Sequence, residues 1–361
     1  MRIGLIIYGS LDTLSGGYLY DRMLVRQLVC CGHQVEVLSL AYNDYAKNLA
    51  DNWNRNWQRL LVNTQLDLLI QDELNHPSLL LANRRRQPYR IVSLVHHLRS
   101  SELEHGPLLA AFYREIERIY LNSVDAFLCN SRTTLHSVQQ LLRRPRPSFV
   151  AYPAADHLPV DEPAVDLPTL AARSRQEGPL RILFVGNLIR RKGLHTVLDA
   201  LAQLRANSWR LSIVGRMDAD VDYTKYIRQR TRSLPTGAVT FHGRLSDEQL
   251  AAQYRTHHLF VLPSYEGFGI VYLEAMRFGL PVIAAASGAA QEIVTGGENG
   301  FLVAPGDAAA LAEHIRQLHA NREQLLAMSH AARRRYTQHP TWQQSMTDAA
   351  AWLTSLTQGN R

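Results

Sequence analysis

Pro263-Ser-Tyr-Glu-Gly-Phe-Gly-Ile-Val-Tyr-Leu-Glu-Ala-Met-Arg-Phe-Gly-Leu-Pro281 is the stretch that decides the fold. It follows the apolar run 259–262, turns at Gly267 and Gly269, and enters a helix-like segment, 268–278, closed by Gly279. Strand, glycine turn and helix in that order form the repeating unit of a parallel α/β sheet. The amides of Phe268, Gly269, Ile270 and Val271 would open the helix without intrahelical acceptors. With the partial positive charge of a helix start, they suit an anion such as a diphosphate. Glu266 and Glu274 have seven residues between them. Eight steps of roughly 100° return to nearly the same helix face, about two turns or roughly 11 Å further on. Such a pair can bracket an extended ligand but is too widely spaced for an acid–base dyad on one bond.

The same alternation extends outward in both directions. Upstream of 150, strands are expected at 2–8, 34–40, 66–70, 90–96, 126–130 and 148–152, with helices at 18–31, 108–122 and 131–142. Near-continuous apolar strands between helices imply a parallel sheet covered on both faces. Composition changes over 152–179, which carries several prolines and acidic residues and reads as a linker with a short helix at 169–175. A second series follows, with strands at 180–186, 210–215, 239–241, 259–262, 281–284 and 300–303. Its helices are expected at 193–204, 222–234, 247–256, 268–278 and 308–319, before a helical tail broken near His339 and Pro340. The expectation is two Rossmann-like domains, 1–165 and 166–340, with the ligand cleft at the C-terminal edges of their sheets.

Bulk properties agree with a globular chain. The 361 residues suit two domains, and 46% hydrophobic with 20% charged residues is ordinary for a sizeable core. Cys30, Cys31 and Cys129 show no metal spacing, and an odd count with an adjacent pair argues for a reducing compartment. No apolar run approaches the ~20 residues of a membrane span. The opening residues 1–10 read as a first buried strand rather than a cleaved leader, so a cytoplasmic location is expected. The formal charge of +7 is spread over clusters at Arg84–Arg86, Arg143–Arg146, Arg190–Lys192 and Arg333–Arg335. No aromatic-interleaved basic patch points to nucleic acid.

The 263–281 segment resembles the E-x7-E motif of the group 1 (family 4) retaining glycosyltransferases, which have the GT-B fold. Ile213-Val-Gly215, Phe241-His-Gly243, Gly288-Ala-Ala-Gln-Glu292, Glu298-Asn-Gly-Phe-Leu302 and Ser15-Gly-Gly17 are similar to further family turns. The resemblance implies a sugar transfer with retained configuration, from a nucleotide-diphosphate donor to an acceptor that the sequence does not identify. It implies that Glu274 binds the donor ribose and that Glu266, with the amides after it, holds the sugar hydroxyls and β-phosphate. It also implies that the chain end, 341–361, packs back on the N-terminal domain.

The second phosphate element is Val185-Gly-Asn-Leu-Ile-Arg-Arg-Lys-Gly193. Lys192 matches the family's lysine, whereas Asn187 stands where the family has an arginine. Arg190 or Arg191 could replace that charge. Gly16 and Gly17 would open the first helix near the diphosphate or the acceptor, the alternative being an ordinary tight turn. His96 is expected to contact the transferred sugar, with His97 as alternate. Asp218-Ala-Asp-Val-Asp222 contains a D-x-D, but Asp222 is expected to start a helix rather than bind metal. The nucleotide-sugar is a co-substrate, no cofactor is implied, and the cations would replace a metal. Trp53, Trp57 and the segment 99–107 are candidates for acceptor contact, peripheral membrane contact or a local apolar patch. The alternatives are a nucleotide-sugar epimerase or phosphorylase on the same fold, or an inactive binding protein.

Overall fold

A computed structural model describes residues 1–54, 61, 65–85, 87–102, 106–159 and 165–358. Trp57, Arg86 and residues 103–105 of the 99–107 segment lie outside the described residues. The chain forms two compact units, Met1–Pro153 with Thr341–Arg361, and Ala154–Pro340.

The first unit is a six-stranded sheet of β1 (Arg2–Tyr8), β2 (Gln34–Leu40), β3 (Leu68–Asp72), β4 (Arg90–Val95), β5 (Ala126–Cys129) and β6 (Ser148–Val150). The spatial order is β2-β1-β3-β4-β5-β6, with all pairs parallel. Parallel neighbours require crossovers, and here these run through helices such as Gly16–Cys30, Pro107–Leu121 and Arg132–Leu141. The central strands are buried throughout, which is why they carry apolar runs rather than alternation.

The second unit repeats the plan with β7 (Leu180–Val185), β8 (Trp209–Val214), β9 (Val239–Gly243), β10 (Leu259–Leu262), β11 (Val282–Ala285) and β12 (Gly300–Val303). Its order is β12-β11-β10-β7-β8-β9, again parallel throughout. The order reverses beside β7, so the loops after β7 and β10 are adjacent at the point where such sheets bind ligands.

The unit boundary lies at 153/154 rather than at 165/166 as the sequence suggested. Ala154, Ala155 and Leu158 are buried, and Arg277 donates to the carbonyls of Ala155 (2.7 Å) and Leu158 (2.8 Å). A proline-rich stretch that reads as linker is thus partly a packed piece of the second unit. The last helix, Trp342–Gln358, packs on helix Gly16–Cys30 of the first unit, with the Trp342 ring edge-on to Tyr20 and Gln27 bonded to Thr347. Its buried Trp342, Met346, Ala349 and Leu353 recur at helical spacing.

Candidate functional site

In the second unit the site grows from the loop after β10. The helix begins at Ile270, not at 268, because Gly269 takes a left-handed conformation (φ 92°) as its N-cap. Glu274 therefore lies about one turn inside the helix, and Glu266 lies before any helical residue. The two-turn, one-face relation expected from eight helical steps does not hold, since the first four of those steps are not helical. The first-turn amides of Ile270 and Val271 still have no intrahelical acceptor, and Phe268 precedes them as a buried residue beside His339.

Two glycines hold Glu266 in place. Gly288 (φ 59°) pairs with Glu266 in a parallel bridge, and a Cβ there would fall 2.1 Å from the Glu266 carbonyl oxygen. Ala289 N–H donates to that oxygen at 2.9 Å. Gly193 (φ 71°) ends the 3-10 turn Arg190–Lys192 against Pro263, where a Cβ would come within 2.7 Å of the Pro263 carbonyl oxygen. That close approach brings the loop after β7 onto the loop after β10.

The side chains follow from this contact. Lys192 Nζ donates to Glu266 Oε1 at 2.5 Å, and Ser264 Oγ donates to the same oxygen at 2.5 Å. Arg191 Nη1 donates to the Tyr265 carbonyl at 2.9 Å. Burial pushes the Glu266 pKa up, but Lys192, Arg191 and the hydrogen bonds from Lys192 and Ser264 outweigh it and hold the carboxyl below its ordinary value. Arg190 points to solvent as an exposed residue. The Asn187 side-chain oxygen accepts from Arg216 N–H at 3.4 Å, a backbone-bracing role.

Glu274 is buried, and both of its oxygens have protein partners. Tyr254 OH donates to Oε2 at 2.8 Å, and His157 Nε2 lies 3.4 Å from Oε1. Neither partner is apparent in the sequence. Tyr254 reads as an ordinary helix residue, and His157 falls in the stretch taken for linker. The D-x-D acids are committed elsewhere. Asp218 pairs with Arg216, Asp220 caps helix Val221–Thr231 by accepting from Tyr223 N–H, and exposed Asp222 pairs with Lys225. The helix starts at Val221, one residue earlier than expected, with Asp220 as its cap and Asp222 in its first turn.

In the first unit, His96 follows β4 and its Nε2 lies 3.2 Å from Asp21 Oδ1. Gly16 and Gly17 form the start of helix Gly16–Cys30, capped by Ser15, rather than a tight turn. A Cβ on Gly17 would lie 3.4 Å from the His96 ring, so the helix start and the imidazole are in contact distance. His97 is engaged by Glu102 at 3.1 Å. Polar atoms of Asp21, Asp72 and His96 lie within 4.8 Å of one another, as do those of Glu73, His76 and Glu117. In each set burial lowers the imidazole pKa, but the neighbouring carboxylates outweigh it and hold the value above the ordinary one. Among the described residues no helix is long and apolar enough to cross a membrane.

Comparison with known proteins places this architecture. Residues 169–335 match the family described as glycosyl transferases group 1. Glycogen synthase of Mycobacterium tuberculosis is 34% identical over 194 residues, which are 53% of this chain and 46% of that protein, so the match spans about half the relative's length. Sucrose-phosphate synthase from Thermosynechococcus elongatus superposes with a TM-score of 0.81 at 21% identity over 99% of this chain and 100% of that one. Anabaena HepE in complex with UDP-glucose gives 0.73 at 20% identity, over 99% and 100%. The chain has the GT-B fold, and its segment 169–335 is similar to the group 1 glycosyl transferases.

Proposed function

We propose that the protein is a retaining glycosyltransferase that takes a sugar from a nucleoside-diphosphate donor. The observation that carries this reading is the convergence of Lys192, Arg191, Glu266 and the first-turn amides of helix Ile270–Arg277 on adjoining loops. Lys192, Arg191 and the helix start receive the diphosphate, and the glycine-braced Glu266 accepts from sugar hydroxyls. Phe268, Gly269, Ile270 and Val271 line that anion site, and Glu274, oriented by Tyr254 and His157, accepts from the ribose hydroxyls. Arg191, not exposed Arg190, takes over the charge that Asn187 lacks. His96 is the sugar contact of the first unit, with Gly16 and Gly17 beside it, and His97 is held by Glu102 instead. The matched region and the donor in the HepE complex support a nucleotide-sugar.

Departure of the donor diphosphate leaves an oxocarbenium-like sugar, and the accumulating phosphate charge is met by cations already in position. No metal enters this scheme, and no side chain is assigned as covalent nucleophile.

The test is calorimetry with UDP, followed by a panel of nucleoside diphosphates, on the wild type and on Glu274→Ala. The variant is expected to lose about 1–3 kcal/mol of binding, the range for hydrogen bonds to a charged group. Unchanged affinity would remove Glu274 from the nucleotide site. Sugar release from the matching nucleotide-sugar should persist with a chelator present. Loss restored by manganese would return attention to Asp218–Asp222.

A further inference from the structure

We propose that Asp21 is a positioning residue, whose buried carboxylate holds His96 by Nε2 so that Nδ1 of the imidazolium donates to a ligand oxygen at the C-terminal edge of the first unit's sheet. The identity of that ligand, a sugar, rests on the glycosyl-transfer reading. The Asp21–His96 coupling rests on geometry alone.

Asp21 is fully buried in helix Gly16–Cys30, and its only hydrogen-bond partner among the described residues is the His96 ring. Its Oδ2 is buried with no partner among those residues, an arrangement that costs free energy unless the charge serves a neighbour. The ring is fixed on other sides as well. Tyr20 stands edge-on at 5.3 Å, and Gly17 lies against the ring, where a Cβ would make an ordinary contact at 3.4 Å. Nε2 is committed to Asp21, while Nδ1 has no protein partner among the described residues and is not among the buried orphan atoms. In a neutral ring that donates from Nε2, Nδ1 could only accept; in the imidazolium it donates.

The charged and titratable groups around the ring favour the second state. They are Asp21, Tyr18 and Tyr20 on helix Gly16–Cys30, and Asp72 and Glu73 at the end of β3. Burial alone would lower the imidazole pKa, but the hydrogen bond to Asp21 and the charges of Asp21, Asp72 and Glu73 raise it to about 9. The tyrosines stay neutral, because burial raises their pKa values.

The experiment follows the His96 imidazole by NMR from pH 5 to 10 in the wild type and in Asp21→Asn, beside donor turnover at pH 6 and pH 8. The isosteric amide keeps the shape and removes the charge. His96 is expected to titrate near 9 in the wild type and to fall toward the ordinary value of about 6.5 in the variant. The protonated fraction at pH 8 then drops from about 0.9 to about 0.03, so turnover falls roughly 30-fold there and stays within about twofold at pH 6. His96→Gln should be slow and flat over this range. A His96 titration that does not move in Asp21→Asn overturns the proposal. So does an equal loss of turnover at both pH values, which would make Asp21 merely structural. If the variant does not fold, a wild-type His96 that titrates near 6.5 is enough to overturn it. If wild-type protein turns over no nucleotide-sugar, the glycosyl-transfer reading falls, and the NMR titrations still decide the coupling.

Discussion

The Lys192–Glu266 pair carries the proposed chemistry at the residue scale. Both side chains are about one-seventh exposed, so removing either takes a close opposite charge from a poorly solvated partner. In the proposed reaction Lys192 trades Glu266 for a phosphate oxygen as negative charge develops. An interaction that strengthens in the transition state shows in kcat more than in ground-state binding. Lys192→Ala is therefore expected to cut kcat by roughly 100-fold, by analogy with loss of one oxyanion donor. Arg191→Ala should behave similarly, because Arg191 lies beside the Tyr265–Glu266 backbone, while exposed Arg190→Ala should be near neutral. Steady-state kinetics on the three variants checks this. A silent Arg191 with an impaired Arg190 would reverse the assignment.

At the scale of elements, Arg173 organises the helices behind the site. Its guanidinium is buried in helix Leu167–Arg175 and donates to the carbonyls of Phe278 (2.9 Å) and Gly279 (2.8 Å), with longer bonds to those of Tyr254 and Arg255. These carbonyls close helices Asp247–Thr256 and Ile270–Arg277, which carry Tyr254 and Glu274. Two helix C-termini thus supply the partial negative charge that a carboxylate would otherwise provide. Burial lowers the Arg173 pKa to about 10, with Arg181 adding to the effect, so it stays charged at neutral pH. Arg173→Met should leave those carbonyls unpaired and lower stability by about 2–4 kcal/mol in urea unfolding. A loss below about 0.5 kcal/mol would show that water replaces the guanidinium without cost.

At the scale of the whole molecule, the two units carry opposite pH responses. In the first unit, burial and neighbouring acids raise the Asp72 and Glu117 carboxyls to about 7. His96, raised to about 9, has the stability of its ion pair fully present below the unfolded value near 6.5 and loses it as pH rises through 9. Ionising the two carboxyls also costs stability as pH rises from about 4 through 7, so all three groups disfavour the first unit at high pH. In the second unit, burial lowers His257 to about 4 and His258 to about 3. Their contribution is present above about 6.5 and is lost as pH falls through those folded values. Hydrogen exchange resolved by unit should show protection in Met1–Pro153 falling from pH 6 to 9, and protection in Ala154–Pro340 falling from pH 6.5 to 4. A common slope in both units would rule out this partition.

What the sequence by itself determined is the order and kind of the elements. Apolar strand runs, glycine stops and the 263–281 turn are local signals, written within about ten residues of where they act, and β1, β2, β10 and β12 fall where those signals put them. The glycine loops before helices Leu194–Leu201 and Ile270–Arg277 were legible for the same reason, since a glycine turn before a helix advertises itself. Tertiary structure decided what depends on distant partners. It moved the unit boundary to 153/154, because Arg277 reaches back 122 and 119 residues to the backbone of Ala155 and Leu158. It brought His157 and Tyr254 to Glu274, chose Arg191 over Arg190 beside Glu266, and set Asp21 against His96. Each of these is a contact between side chain and side chain or backbone on separate elements. Periodicity along one element carries no information about what packs against it.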